Sequence, residues 1–143
     1  LHFVYLMSSD PLGYTADHFR DVKKPELNPY FADYMGEAFK PLGVYLSYWQ
    51  ETMPAAKPVE FRVMMVNDEA HRAAGTLRVE MLDEKGTVVR TQQQKFSLAG
   101  LGQQTYYFDY QAPEAPGKYL IKATAETGPG AATLSRRKVT VVP

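Results

Sequence analysis

Apolar side chains recur at every second position in short runs along most of this chain, and turn residues separate the runs. In residues 43–50, Val44, Leu46 and Tyr48 share one face, while Tyr45, Ser47 and Trp49 share the other. Pro54 and Pro58 then break the pattern. Residues 59–67 place Phe61, Val63 and Met65 together, and residues 75–82 alternate Leu77, Val79 and Met81 with Arg78 and Glu80. Alternation of this kind predicts an antiparallel sheet with one wet face. The run 87–98 is polar at Gln92, Gln93 and Gln94, as suits an edge strand. Residues 105–110, 118–124 and 132–142 complete the series, with Tyr106, Phe108, Tyr110, Tyr119, Ile121, Val139 and Val141 facing inward.

The breaks between runs carry turn chemistry. Asp83-Glu84-Lys85-Gly86 offers a glycine for positive φ, and Ala99-Gly100-Leu101-Gly102, Pro113 to Gly117 and Gly128-Pro129-Gly130 supply the rest. About seven strands at this spacing predict an all-β fold, an immunoglobulin-like antiparallel β-sandwich. Its core is expected to hold Leu46, Phe61, Val63, Met65, Leu77, Val79, Met81, Val89, Phe96, Phe108, Tyr119, Ile121, Val139 and Val141. Val89 and Phe96 have opposite parity, so a bulge or bend must separate them.

Residues 1–41 differ, being aromatic and irregular. Asp10 to Gly13 reads as a turn. Asn28 followed by Pro29 marks a helix start, with residues 30–39 helical, Phe31, Met35, Ala38 and Phe39 on one face, and Pro41 preventing continuation. The chain thus divides into an N-terminal irregular and helical segment, 1–41, and a sandwich, 42–143.

Composition narrows the function classes. Lysine plus arginine equals aspartate plus glutamate, 16 each, which argues against nucleic-acid binding through a basic surface. There is no cysteine, so the sandwich must cohere without a disulfide and without a thiolate metal site. No apolar run is long enough for a membrane span, and Leu1 to Met7 lacks the charged start and cleavage site of a signal peptide.

Several short motifs, taken in order, resemble the region following the catalytic barrel in glycoside hydrolase family 2, the group of β-galactosidases, β-glucuronidases and β-mannosidases. Pro29-Tyr30-Phe31, then Phe39-Lys40-Pro41, then Val44-Tyr45-Leu46 resemble the closing helix, the Phe-x-Pro step and the first sandwich strand. Val59 to Val63 with Val66-Asn67-Asp68, Gly75-Thr76-Leu77 and Pro116-Gly117-Lys118-Tyr119 resemble later strands of such a sandwich. The resemblance implies a non-catalytic accessory domain whose partner is the catalytic barrel of the same parent polypeptide, with no cofactor and a periplasmic or extracellular location. The family's two catalytic glutamates are not matched in this sequence, so no catalytic residue is carried over and glycosidase activity is assigned to the parent.

Other chemistry is weaker. Asp10, Asp17, His18 and Asp21 have the donor types of a metal site, but their spacing fits no ligand pattern and a solvated turn accounts for them. His2 and His71 are isolated. Tyr45, Trp49 and Tyr107 are candidates for stacking on carbohydrate; for Tyr45 and Trp49, packing against the N-terminal segment or the barrel is the weightier reading. Arg136-Arg137-Lys138 reads as a solvated sheet face, ahead of an acidic-sugar site. An independent carbohydrate-binding module and a cell-surface protein-interaction sandwich stand as alternatives to the accessory domain.

Overall fold

The computed structural model describes residues 19–21, 24, 26–128 and 131–143. The chain forms two compact units, Leu1–Ala38 and Phe39–Pro143.

In the first unit, β1 (Phe19–Asp21) pairs antiparallel with β2 (Glu26–Leu27), where the sequence reads only as an irregular charged stretch. The strands are too short to show a two-residue period. Their turn is held instead by the Asp21 carboxylate, which accepts the Lys24 N–H at 3.3 Å. Helix α1 spans Pro29–Ala38 and starts as its capping residue dictates. The Tyr30 N–H donates to Asn28 Oδ1 at 3.0 Å, and the Ala32 N–H to the Asn28 carbonyl at 3.1 Å. The apolar face expected on this helix is not buried: no residue of α1 is buried, and Phe39 lies beyond its end, exposed. The turn expected at residues 10–13 lies outside the described residues.

The second unit is a β-sandwich of the immunoglobulin-like kind. Its strands are β3 (Leu42–Ser47), β4 (Thr52–Pro54), β5 (Pro58–Asn67), β6 (Ala73–Leu82), β7 (Val88–Leu98), β8 (Gln103–Gln111), β9 (Gly117–Gly128) and β10 (Ala131–Val142). One sheet is ordered β4-β10-β9-β6-β7, the other β3-β5-β8. All neighbours are antiparallel except β4, which runs parallel to β10 with Met53 opposite Val141. The prolines at 54 and 58 were expected only to interrupt; β4 forms because Met53 enters the core, 2% exposed, and Pro54 sits in an outermost strand, where a missing N–H is tolerated.

The core follows the predicted alternation. Leu46, Phe61, Val63, Met65, Leu77, Val79, Met81, Phe96, Phe108, Tyr119, Ile121, Val139 and Val141 are all buried, and Leu98, Tyr106, Tyr110, Ala123 and Ala125 join them. Val89 is only half-buried against this cluster. The register explains it: Met81 pairs with Arg90 and Leu82 with Val88, so Val89 is the residue skipped at the irregularity. Phe61 lies at the centre, with Tyr48 edge-on at 5.2 Å and Tyr110 tilted at 5.2 Å between ring centroids. The Tyr110 hydroxyl crosses between the sheets to donate to the Val79 carbonyl.

Turn chemistry fixes the β6–β7 hairpin. Gly86 takes φ of 80°, and the Asp83 carboxylate accepts the N–H groups of Lys85 at 2.9 Å and Thr87 at 2.8 Å. The glutamine-rich strand β7 is an edge, as expected. Its Gln92 and Gln94 side chains donate to the Asp109 and Tyr107 carbonyls of β8, the latter at 3.2 Å, which bridges the two sheets along that border. The outer face of the larger sheet carries an ion network in which Arg78 pairs with Glu80 and Glu126, and Lys122 with Glu80 at 2.8 Å.

Two outcomes follow. Tyr110→Phe leaves the Val79 carbonyl without its side-chain donor in the core, so urea unfolding should show a loss of about 1–3 kcal/mol. The second concerns pH. Burial pushes the Tyr110 phenol well above the usual tyrosine range; a Gln92 backbone hydrogen bond opposes this and the Glu80 carboxylate adds to it. Burial also raises Tyr48. A raised acid binds its proton more tightly folded than unfolded, so its contribution is complete below about pH 10 and declines as pH rises beyond it. Denaturation midpoints measured from pH 8 to pH 12 should fall above about pH 10, and the fall should be shallower in Tyr110→Phe.

Candidate functional site

The exposed aromatic residues of the sandwich are the starting point, because a ring at the surface offers an apolar face on which a ligand can stack. β3 ends at Ser47, so Trp49 lies beyond the strand rather than on its outer face as the alternation suggested. It still meets Tyr45. The indole N–H donates to the Tyr45 hydroxyl at 3.1 Å, and the two rings are 6.2 Å apart and inclined by 49°. Trp49 is 70% exposed and Tyr45 38%.

Arg137 joins this pair, although in sequence it reads first as part of a solvated basic face and only second as part of an acidic-sugar site. Residues 136–138 read as one solvated basic triplet, but alternation along β10 separates them. Arg137 pairs across the ladder with Ile121, a core residue, whereas Arg136 pairs with Lys122 of the charged outer face. Arg137 therefore points toward the inner side of its sheet. Its guanidinium carbon lies 4.6 Å from the Trp49 ring centre and 5.6 Å from that of Tyr45, within cation–π range. Its Nη1 donates to the Arg136 carbonyl at 2.8 Å. The signal that points to it is parity: on β10, Val139, Val141 and Arg137 all share the odd, inward register. Nearby, the Leu46 N–H of β3 donates to the Ser135 hydroxyl of β10 at 3.2 Å, which ties the two strands at this border.

Tyr107 does not belong to this group. It stands on β8 opposite Arg62 of β5, 59% exposed, while Tyr45 is on β3 at the far side of the same sheet. Of the three carbohydrate candidates, the fold brings together two.

The remaining chemistry is dispersed. Asp10, Asp17, His18 and His2 lie outside the described residues. Among the described residues, no group of three His, Asp or Glu side chains is placed to share a metal ion. A concavity of about 520 Å³ at one end of the sandwich is lined by Lys40, Asn67, Glu69, Arg72 and Thr133 among others. Its buried Asn67 is committed to structure: Nδ2 donates to the His71 and Ala99 carbonyls at 2.7 and 3.0 Å, and Oδ1 accepts the Glu69 N–H at 3.2 Å. Lys40 likewise donates to the Ala132 carbonyl at 2.7 Å. A second concavity of about 650 Å³ at the other end is lined by Leu82, Glu84, Lys118, Leu120 and Lys138 among others.

No family model and no curated protein matches this sequence. Solved structures do resemble it in fold. The β-glucosidase from Listeria innocua in complex with glucose superposes with a TM-score of 0.54 at 12% identity, over 72% of this chain and 16% of that one. The cycloisomaltooligosaccharide glucanotransferase from Paenibacillus sp., complexed with cycloisomaltoheptaose, gives a TM-score of 0.54 at 18% identity, over 68% of this chain and 13% of that one. The CARDB domain of PF1109 from Pyrococcus furiosus gives a TM-score of 0.57 at 20% identity, over 71% of this chain and 94% of that one. At these identities the likeness is one of fold, and this chain spans only a small part of the two enzymes: its β-sandwich is of a kind found within a β-glucosidase, within a glucanotransferase and as the CARDB domain of PF1109.

Proposed function

We propose that this chain is a non-catalytic accessory β-sandwich of a glycoside hydrolase resembling family 2, held against the catalytic barrel of the same polypeptide and working outside the cytoplasm. One observation carries the reading. A capped helix, Pro29–Ala38, is followed by the Phe39-Lys40-Pro41 step and then directly by the first sandwich strand, Leu42–Ser47. That is the order in which the family's barrel gives way to its sandwich. The fold supports the same reading, since it recurs as 16% and 13% of two chains that process glucosides and glucans.

Chemically, the role asks nothing reactive of the sandwich. Its inner faces are filled by apolar side chains and its larger outer face is occupied by ion pairs. A domain of this kind braces a barrel or shapes the approach to it, and hydrolysis belongs to two carboxylates elsewhere, about 5 Å apart in a retaining enzyme. A second reading, an independent carbohydrate-binding module, draws on the exposed Trp49.

The coding sequence upstream of Leu1 tests the first reading. A (β/α) barrel with two glutamates at the carboxyl ends of its strands is the expected result; an unrelated upstream domain would sink it. The purified chain should also release no nitrophenol from a panel of aryl β-glycosides, and measurable turnover would show that the sandwich is itself catalytic.

A further inference from the structure

Trp49 is the chain's sole tryptophan. Exposed side chains usually keep their rotamer freedom, because immobilising them costs entropy and returns little burial. Trp49 is held at two places all the same. Its N–H edge is satisfied by the Tyr45 hydroxyl at 3.1 Å, and the Arg137 guanidinium lies 4.6 Å from its ring centre. Arg137 is itself restrained by the Arg136 carbonyl, and among the described residues no carboxylate pairs with it. The ring thus has its polar edge bonded and a cation against it, while 70% of its surface faces water. Holding an apolar ring still in water contributes little to folding; it favours whatever binds the ring, by removing an ordering cost in advance.

The surroundings indicate what that is. A stable protein partner needs roughly 1,200 Å² or more of buried surface with an apolar centre. Trp49 is flanked in the chain by Tyr48, which packs against the core, and by Gln50 and Glu51, both polar and exposed, while the smaller sheet's strongly exposed aromatic, Tyr107, stands on a strand beyond β5. The 49° inclination of Tyr45 also prevents the two rings from forming one flat apolar surface. A single strongly exposed ring, fixed by its neighbours and followed by polar residues, suits a ligand with one apolar face and a rim of hydroxyls. We infer that Trp49, positioned by Tyr45 and Arg137, is a stacking subsite for a pyranose residue of a glycan chain. The ring's C–H face lies on the indole, and its hydroxyls meet the polar border. The subsite stands independently of whether a barrel precedes this chain.

A sole tryptophan at the subsite makes the test direct. The intact chain is titrated with cellohexaose, maltohexaose, isomaltohexaose and laminarihexaose while its fluorescence is followed. A saturable change in emission with at least one of them is the expected result. Calorimetry with that sugar should show at least about tenfold weaker binding in Trp49→Ala, as loss of a stacked ring predicts. Arg137→Met should weaken it about threefold to tenfold, Arg137→Lys should restore most of the affinity because the cation remains, and Tyr107→Ala should leave it unchanged. Circular dichroism of each variant should match the parent chain. Emission unmoved by all four sugars overturns the inference. So does undiminished binding in Trp49→Ala, or an equal response to polyglutamate, which would mark a simple charge effect. None of these outcomes bears on the upstream sequence, so the accessory-domain reading stands or falls separately.

Discussion

The structure depends on the burial of interleaved apolar side chains between two sheets that no disulfide joins. With no cysteine available, cohesion rests on Phe61 and the residues around it, from Leu46 and Val63 on the smaller sheet to Val79, Met81 and Ile121 on the larger. Interiors of this kind are packed as densely as organic crystals, so position matters as much as hydrophobicity. Tyr110 adds direction to the contact. Its ring lies against Phe61 and its hydroxyl reaches the Val79 carbonyl on the opposite sheet. One side chain thereby supplies both apolar area and a polar bond that is satisfied only when the sheets are correctly aligned.

The two borders of the sandwich are treated differently. Along β7 and β8, glutamine side chains occupy carbonyls of the neighbouring strand and close the gap between sheets. That arrangement spends polar groups on cohesion and discourages edge pairing with other chains. Along β3 and β10 the Ser135 hydroxyl ties the strands, and beside it Arg137, Tyr45 and Trp49 gather with the indole in water. The outer face of the larger sheet is committed to ion pairs. The border near Trp49 is where the proposed glycan subsite lies.

This division accords with the accessory role and the glycan subsite proposed above. The likeness to sandwich portions of a β-glucosidase and a glucanotransferase concerns fold, and fold hosts many functions. The features of this chain that bear on function are local: a restrained tryptophan on one border, and a capped helix and proline step before the first sandwich strand.

The strands and most of the core were legible from sequence because a period of two along a strand is a local property: each inward residue announces itself by its neighbours. The helix start at Asn28-Pro29 and the Asp83–Gly86 turn were legible for the same reason, since both are hydrogen-bonded within a few residues. Strand β4 was hidden by Pro54 and the nearby Pro58, because its existence depends on Thr140 to Val142 lying alongside, far along the chain. Tyr45 and Trp49 were legible as a pair, but the alternation that linked them ended at Ser47. Their contact is made by a hydrogen bond beyond the strand. Arg137 was read with its neighbours as solvated charge, since only the pairing of β10 with β9, and the approach of β10 to β3, places its guanidinium over those rings. Sequence by itself determined the period, the caps and the turns; tertiary structure decided which distant strands became neighbours, and with that which exposed side chains were brought together.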